Sequence, residues 1–262
     1  MFNIIKIRAS SLGELFDCPA RWEAKHLLKM PRKTNVAAFL GTSVHAGTAK
    51  YDQSVLDNNK LSPMEAAGAI VDILKNPEED IDWGDDTPKS IEKKAIPIHL
   101  RYCSNIAPKM EYVAVELTCQ PLIFTDLRLE LTGSTDRVYK DKLGNLGIAD
   151  IKTGKTAVSS ANVVATGKHA AQMGVYELLA EHSFNQQIDA PAQIIGLNTS
   201  NDKAAIGTLS GARELLLGDE FNKGLLHRAS ELIHSGNFYG NPSSMLCSEK
   251  YCPRHSVCKF KK

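Results

Sequence analysis

Two aspartates and a lysine stand out for the chemistry their spacing permits. Asp136 lies within Gly133-Ser134-Thr135-Asp136-Arg137-Val138, and fourteen residues later Asp150-Ile151-Lys152 sets an acid and a lysine two positions apart. Both segments read as strands. Side chains alternate along a strand, so Asp150 and Lys152 share one face and Ile151 takes the other. If the turn Asp141-Lys142-Leu143-Gly144-Asn145 joins the two strands as a hairpin, Asp136 meets Asp150 near one end of the sheet. Converging carboxylates hold Mg²⁺ or Mn²⁺ through hard oxygen ligands, and an ammonium beside them orients or activates an attacking water. The acid-x-lysine tripeptide alone is a weak signal, because Glu23-Ala24-Lys25 and Glu92-Lys93-Lys94 repeat it on helical or polar stretches where surface charge suffices. Asp150 differs in its neighbours Ile148, Ala149 and Ile151, among which an unpaired acid is costly to bury. On strand context alone the pair reads equally as a metal site or as an edge-strand salt bridge.

The elements that must position these residues form a run from Tyr112 onward. Strands are predicted at Tyr112 to Thr118, Leu127 to Leu131, Ser134 to Tyr139 and Leu146 to Thr153, the second with strict alternation. A helix from about His169 to His182, a short strand through Ile194 to Leu197 and a longer helix from about Ala212 to Ile233 follow. Upstream, Ser11-Leu12-Gly13-Glu14 reads as a capping box opening a short helix that ends before Pro19. Pro19 suits the first turn of a second helix running through Leu28, which leaves Cys18 at the corner between them. Leu40, Val44, Gly47, Tyr51 and Val55 make the stripe of a core-facing helix, with His45 one position off it. Pro63 to Leu74 is helical again, and the acidic stretch Pro77 to Asp86 reads as a solvated loop. This order implies an α/β fold, a sheet core wrapped by an N-terminal helical elaboration.

Taken in order, Asp136, Asp150-Ile151-Lys152 and Gln172-Met173-Gly174-Val175-Tyr176 resemble the PD-(D/E)XK nuclease superfamily, and the Gln-x-x-x-Tyr element is similar to its RecB-like branch. Leu40-Gly41-Thr42-Ser43-Val44-His45 resembles that branch's helical motif with a metal-binding histidine. Glu116 is similar to the family's upstream acid, with Glu111 and Glu130 nearby as competitors. The resemblance covers roughly Ser10 to Cys258. It implies a restriction-endonuclease-like core, a central mixed sheet flanked by helices. It also implies His45, Asp136 and Asp150 as metal ligands together with the Ile151 backbone carbonyl, Glu116 as a further catalytic acid, Lys152 positioning the water, and Gln172 and Tyr176 lining the site against DNA. The implied activity is a metal-dependent DNA exonuclease acting on single strands or duplex ends in recombination, repair, replication or CRISPR-type adaptation. Read without the resemblance, a lone histidine on a helix flank is more often a surface or hydrogen-bonded residue. Gln172 and Tyr176, four apart, also pair simply as helix-face neighbours.

The cysteines carry a second signal. Cys247, Cys252 and Cys258 fall within a short polar tail, and Cys18 is a distant fourth, while Cys103 and Cys119 read as ordinary buried thiols. A tail with little core of its own argues for a metal that supplies the missing cross-link. Zinc and a [4Fe-4S] cluster both take four thiolates. A zinc ribbon normally offers two Cys-x-x-Cys pairs and this chain has none, so the cluster fits better and zinc stands as the alternative. Iron-sulfur RecB-like nucleases, including AddB-type and CRISPR-adaptation-type enzymes, are similar in having one cysteine before the nuclease core and three after it.

Bulk properties bound the rest. Hydrophobic residues at 43% and charged residues at 23% are ordinary globular usage, which supports one domain over 1–262: a helical part (1–110), a catalytic core (111–200) and a closing helix and tail (201–262). No apolar run suits a membrane span, and Met1 to Arg8 lack a secretory signal, so a cytoplasmic protein is expected. A formal charge of +1 excludes a protein that coats DNA and confines any nucleic-acid surface to a patch. Candidates are Lys152, Lys155 and Lys168 with Tyr176, and a basic N-terminal face of Arg21, Lys25, Lys29, Arg32 and Lys33. Thr153-Gly154-Lys155-Thr156 superficially resembles a phosphate loop, but Ala149 replaces its first glycine, so any helicase partner is another chain. The competing functions are a catalytically silent DNA-binding or assembly module and a redox protein.

Overall fold

The computed structural model describes residues 4–261; Met1 to Asn3, part of the N-terminal reading, lie outside them. The chain opens with β1 (Ile5–Arg8), which runs directly into α1 (Ala9–Asp17) and α2 (Pro19–His26). The expected capping box is absent. Ser11 is inside α1 and donates to the Arg8 carbonyl at 2.8 Å, and Glu14 points instead at Lys25 and His26. A strand leading straight into the helix leaves no loop in which a capping serine can sit.

A short strand β2 (Thr34–Asn35) precedes α3 (Val36–Leu56), which Asn35 caps by accepting the Ala38 N-H. The helical stretch from Pro63 is two pieces, α4 (Pro63–Ala66) and α5 (Gly68–Lys75), and β3 (Ile81–Asp82) then pairs with β2. An 18-residue helix, α6 (Pro88–Asn105), follows, with Pro97 inside it. That proline removes a hydrogen bond and hides the helix from a pattern search. Buried Ile91, Ala95, Ile98 and Tyr102 hold it in place.

The meander comprises β4 (Glu111–Thr118), β5 (Leu122–Phe124), β6 (Leu129–Thr132), β7 (Ser134–Lys140) and β8 (Leu146–Gly154). β6 starts later than the alternation predicts, because Arg128 takes a left-handed conformation (φ 53°) in the turn before it. Then come α7 (Ala170–Phe184), β9 (Ala192–Asn198), β10 (Ala204–Leu209), α8 (Ala212–Leu217) and α9 (Leu225–Ser235). The predicted long final helix is thus broken. Gly218 has φ 77°, and the turn packs so closely that a Cβ there would stand 2.1 Å from the Asn222 carbonyl oxygen.

The central sheet runs β10-β9-β8-β7-β4 and is mixed, with β8 and β9 parallel and the other pairs antiparallel. A smaller sheet, β5-β6-β1, carries the N-terminal strand. Alternation along β7 and β8 divides the apolar residues between two layers. Val138 and Ile148 join α1, α7, α8 and α9 on one side, whereas Tyr139, Ala149 and Ile151 join α3, α5 and α6 on the other. The mixed sheet flanked by helices matches the sequence expectation.

The C-terminal tail lies against the α1–α2 corner. Asn241 donates from its side chain to the Asp17 carbonyl at 2.8 Å, Ser244 donates to the Asp17 carboxylate at 2.7 Å, and Arg254 pairs with Glu23.

Candidate active site

The strand register creates the site. β7 and β8 pair from Lys140–Leu146 to Arg137–Ala149, and the next opposed residues are Asp136 and Asp150. Past this point β7 stays with β4 as far as Ser134, while β8 stays with β9 as far as Gly154. The sheet therefore forks at the two aspartates. In place of the next ladder bond, Asp136 Oδ2 accepts the Ile151 N-H at 2.7 Å. On the other side of β7, the pairs Val115–Arg137 and Leu117–Thr135 leave Glu116 opposite Asp136. Three acids are thereby aligned across three neighbouring strands. Glu116 holds a left-handed backbone (φ 48°), a conformation costing on the order of 1–3 kcal/mol for such a residue.

The fork lets both helical layers reach the acids. From α3, His45 Nδ1 stands 3.4 Å from Asp136 Oδ2, and the ring also meets the Ile151 backbone. One ligand atom each from His45, Glu116 and Asp136 lies within 4.8 Å of the others, the one such group among the described residues. From α7, Gln172 Nε2 donates to Asp150 Oδ1 at 3.3 Å and to the Tyr176 hydroxyl at 3.1 Å. The Lys152 ammonium lies 2.7 Å from Asp150 Oδ2.

Beneath the acids is a cation that the sequence reading missed. Arg137 is fully buried and donates to Asp52 at 2.7 Å through Nε, to Thr48 at 3.3 Å through Nη2, and through Nη1 to Glu116 at 3.1 Å and the Asp136 carbonyl at 2.6 Å. Asp52 also accepts from Tyr102 at 2.5 Å. His45, Thr48 and Asp52 follow helical spacing, so a polar line along α3 was the available signal.

Electrostatics follow from this crowding. Desolvation first, and then the charge of Asp136, push the Glu116 carboxyl up to about 7 against the pull of Arg137. Burial and Asp136 likewise push Asp150 up, with Lys152 opposing. Burial lowers His45 more than Asp136 raises it, so its imidazole favours the neutral form that coordinates metal. Clustered acids that resist ionising together gain from a cation placed among them. Two carboxylates and an imidazole make a donor set suited to Mg²⁺ or Mn²⁺.

Some predicted residues land elsewhere. Asp150 belongs to the fork but not to the tight group of three, where Glu116 stands instead. Glu111 is opposite Lys140 and Glu130 pairs with Lys6, so neither competes for that place. Tyr176 is only 6% exposed, which leaves no ring face for stacking bases; its hydroxyl serves Gln172. The supposed basic N-terminal face is largely spent on internal contacts. Arg21 is buried against Asp17, Lys25 pairs with Glu14, Lys33 with Asp80, and Arg32 holds the Tyr251 carbonyl.

Of the four cysteines, Cys18, Cys252 and Cys258 lie close enough to influence one another. Cys18 is buried and its sulfur accepts the Asn241 N-H at 3.4 Å. Burial pushes the Cys252 thiol up, and the neighbouring Cys18 and Cys258 push it further. Cys247 follows Ser244, which is anchored to Asp17. Cys103 is buried beside His99 and Cys119 is buried in the core, as expected of ordinary thiols.

Residues 7–259 match the family model of the PD-(D/E)XK nuclease superfamily. The chain belongs to that superfamily, and its sheet flanked by helices is a restriction-endonuclease-like fold. The crystal structure of SSO0001 is similar over 95% of this chain and 97% of that chain, at 13% identity and a TM-score of 0.38. No curated protein is matched. Membership makes the chain a metal-dependent nuclease by family. No helix among the described residues is long and apolar enough to cross a membrane.

Proposed function

We propose that this chain is a RecB-like deoxyribonuclease, an exonuclease that hydrolyses DNA phosphodiester bonds from single strands or duplex ends in recombination, repair, replication or CRISPR-type adaptation. The observation that carries this reading is the fork itself, where His45, Glu116 and Asp136 converge and Asp150 and Lys152 flank them. His45, Asp136 and Asp150 would hold Mg²⁺ or Mn²⁺, with Glu116 and the Ile151 carbonyl as further donors. When bound, the metal supplies an activated water and neutralises charge on the phosphate.

The chain's own residues do the rest. Lys152 orients the water and offsets charge developing on the phosphate. Gln172 fixes the Asp150 carboxylate, and Tyr176 fixes Gln172. Arg137 keeps Glu116 and the Asp136 backbone in place from below. The buried arginine makes the acids' alignment rigid before substrate arrives.

The cysteines suit a structural [4Fe-4S] cluster, with Cys18, Cys247, Cys252 and Cys258 as ligands. The chain has no Cys-x-x-Cys pair of the kind a zinc ribbon offers, which favours the cluster over zinc. Such a centre would tie the tail to the α1–α2 corner. Anaerobic protein with Mn²⁺ and end-labelled DNA tests the proposal: wild type degrades the DNA, and Asp150→Ala and Lys152→Ala do not. Undiminished activity in both variants would leave the fork without a catalytic role.

A further inference from the structure

A second recess, lined in part by Lys152, opens beside the cleavage site. It encloses about 170 Å³, and its polar lining residues are Lys152, Thr153, Thr156, Lys168 and His169. No acid is among its lining residues. Lys152 is committed to Asp150, but Lys168 is exposed and pairs with no acid among the described residues. Burial, then Lys152, then Lys168 hold His169 down at about 4, a sign that the recess is already rich in positive charge.

Val164 and Ile194, both buried, also line the recess. Its loop is pressed onto the sheet: a Cβ on Gly196 would lie 2.6 Å from the Ala157 carbonyl oxygen. Asn198, 1% exposed, pins the same loop by donating to the Lys155 and Val158 carbonyls at 2.9 Å each. The space equals roughly five or six water molecules, too small for a nucleoside but enough for a hydrated oxyanion.

We propose that this recess holds the terminal phosphate of a DNA strand, so that the chain prefers phosphorylated ends over hydroxyl ends. The inference rests on the nuclease reading and adds the substrate class to it. Lys168 faces the dianion, and the Thr156 hydroxyl and His169 ring complete the polar wall. Thr153-Gly154-Lys155-Thr156 thus borders a phosphate recess although it is not a nucleotide-binding loop.

Single-stranded oligonucleotides carrying a 5′-phosphate, a 3′-phosphate or neither test this, by binding without added Mn²⁺ and by cleavage with it. One phosphorylated end is expected to bind roughly tenfold or more tightly than the hydroxyl end, as charge-assisted contacts to a dianion imply. Lys168→Gln, and separately Ala165→Asp at the exposed rim, should bring that ratio toward one. Equal binding of all three oligonucleotides by wild type, or a ratio undiminished in both variants, overturns the recess. Phosphate-dependent binding without cleavage upholds the recess and sinks the nuclease reading; cleavage without end preference does the reverse.

Discussion

At the residue scale the structure turns on charges that cannot be separated. Asp136, Asp150 and Lys152 were legible as charges inside strands, though equally readable as a salt bridge, and Gln172 entered only with the motif order that resembles the superfamily. Arg137 was not, since a charged residue beside Asp136 reads as solvated until both layers are known to cover it. Its ion pair with Asp52 has side chains exposed by 0% and 2%. Arg137→Met should therefore destabilise the fold by on the order of 3–5 kcal/mol, because it leaves Asp52 buried without its cation. Urea denaturation measures this, and adding Asp52→Asn should recover part of the loss. Equal stability of Arg137→Met and wild type would mean that the buried pair contributes nothing.

At the element scale, one glycine sets how α7 packs on α8 beside the site, and one acid ties α1 to α2. Gly174 lies between Gln172 and Tyr176 on α7, and a Cβ there would stand 2.4 Å from the Ala212 carbonyl oxygen at the start of α8. Gly174→Ala should cost about 1–3 kcal/mol by overpacking, and should slow cleavage by moving Gln172 off Asp150. Thermal melts and cleavage rates read the two effects separately. At the α1–α2 corner, burial opposes ionisation of Glu14, but His26 and Lys25 outweigh it and hold the carboxyl at about 2, from an ordinary 4.5. Because the folded value is the lower one, this contribution is complete above about 4.5 and disappears as pH falls toward 2. It amounts to on the order of 3 kcal/mol, and Glu14→Gln should flatten stability across that window in chemical-denaturation curves. Pro19 at its first turn made α2 readable, and the Leu40, Val44, Gly47, Tyr51 stripe made α3 readable. Pro97 concealed α6, and Ser11 and Glu14 mimicked a cap while serving other partners.

At the scale of the whole molecule, two long-range arrangements decide function, and sequence shows neither directly. One is the fork between β7 and β8, which depends on β4 and β9 holding their partners past the aspartates. The motif order pointed to its residues, but the entry of Glu116 into the tight group came only with the register. The other is the tail folded back on Cys18 across more than two hundred residues. If the cysteines hold the proposed cluster, stripping it, or Cys18→Ser, should release that closure and lower the melting temperature by roughly 5–10 °C. Scanning calorimetry of loaded and stripped protein measures it. The central claim is most directly tested by single-turnover cleavage of end-labelled DNA with and without Mn²⁺, comparing wild type with Asp150→Asn. The fork predicts cleavage only with metal, and a loss of at least roughly 100-fold in the variant. Equal rates in the two proteins, or no cleavage by metal-loaded wild type, would contradict it.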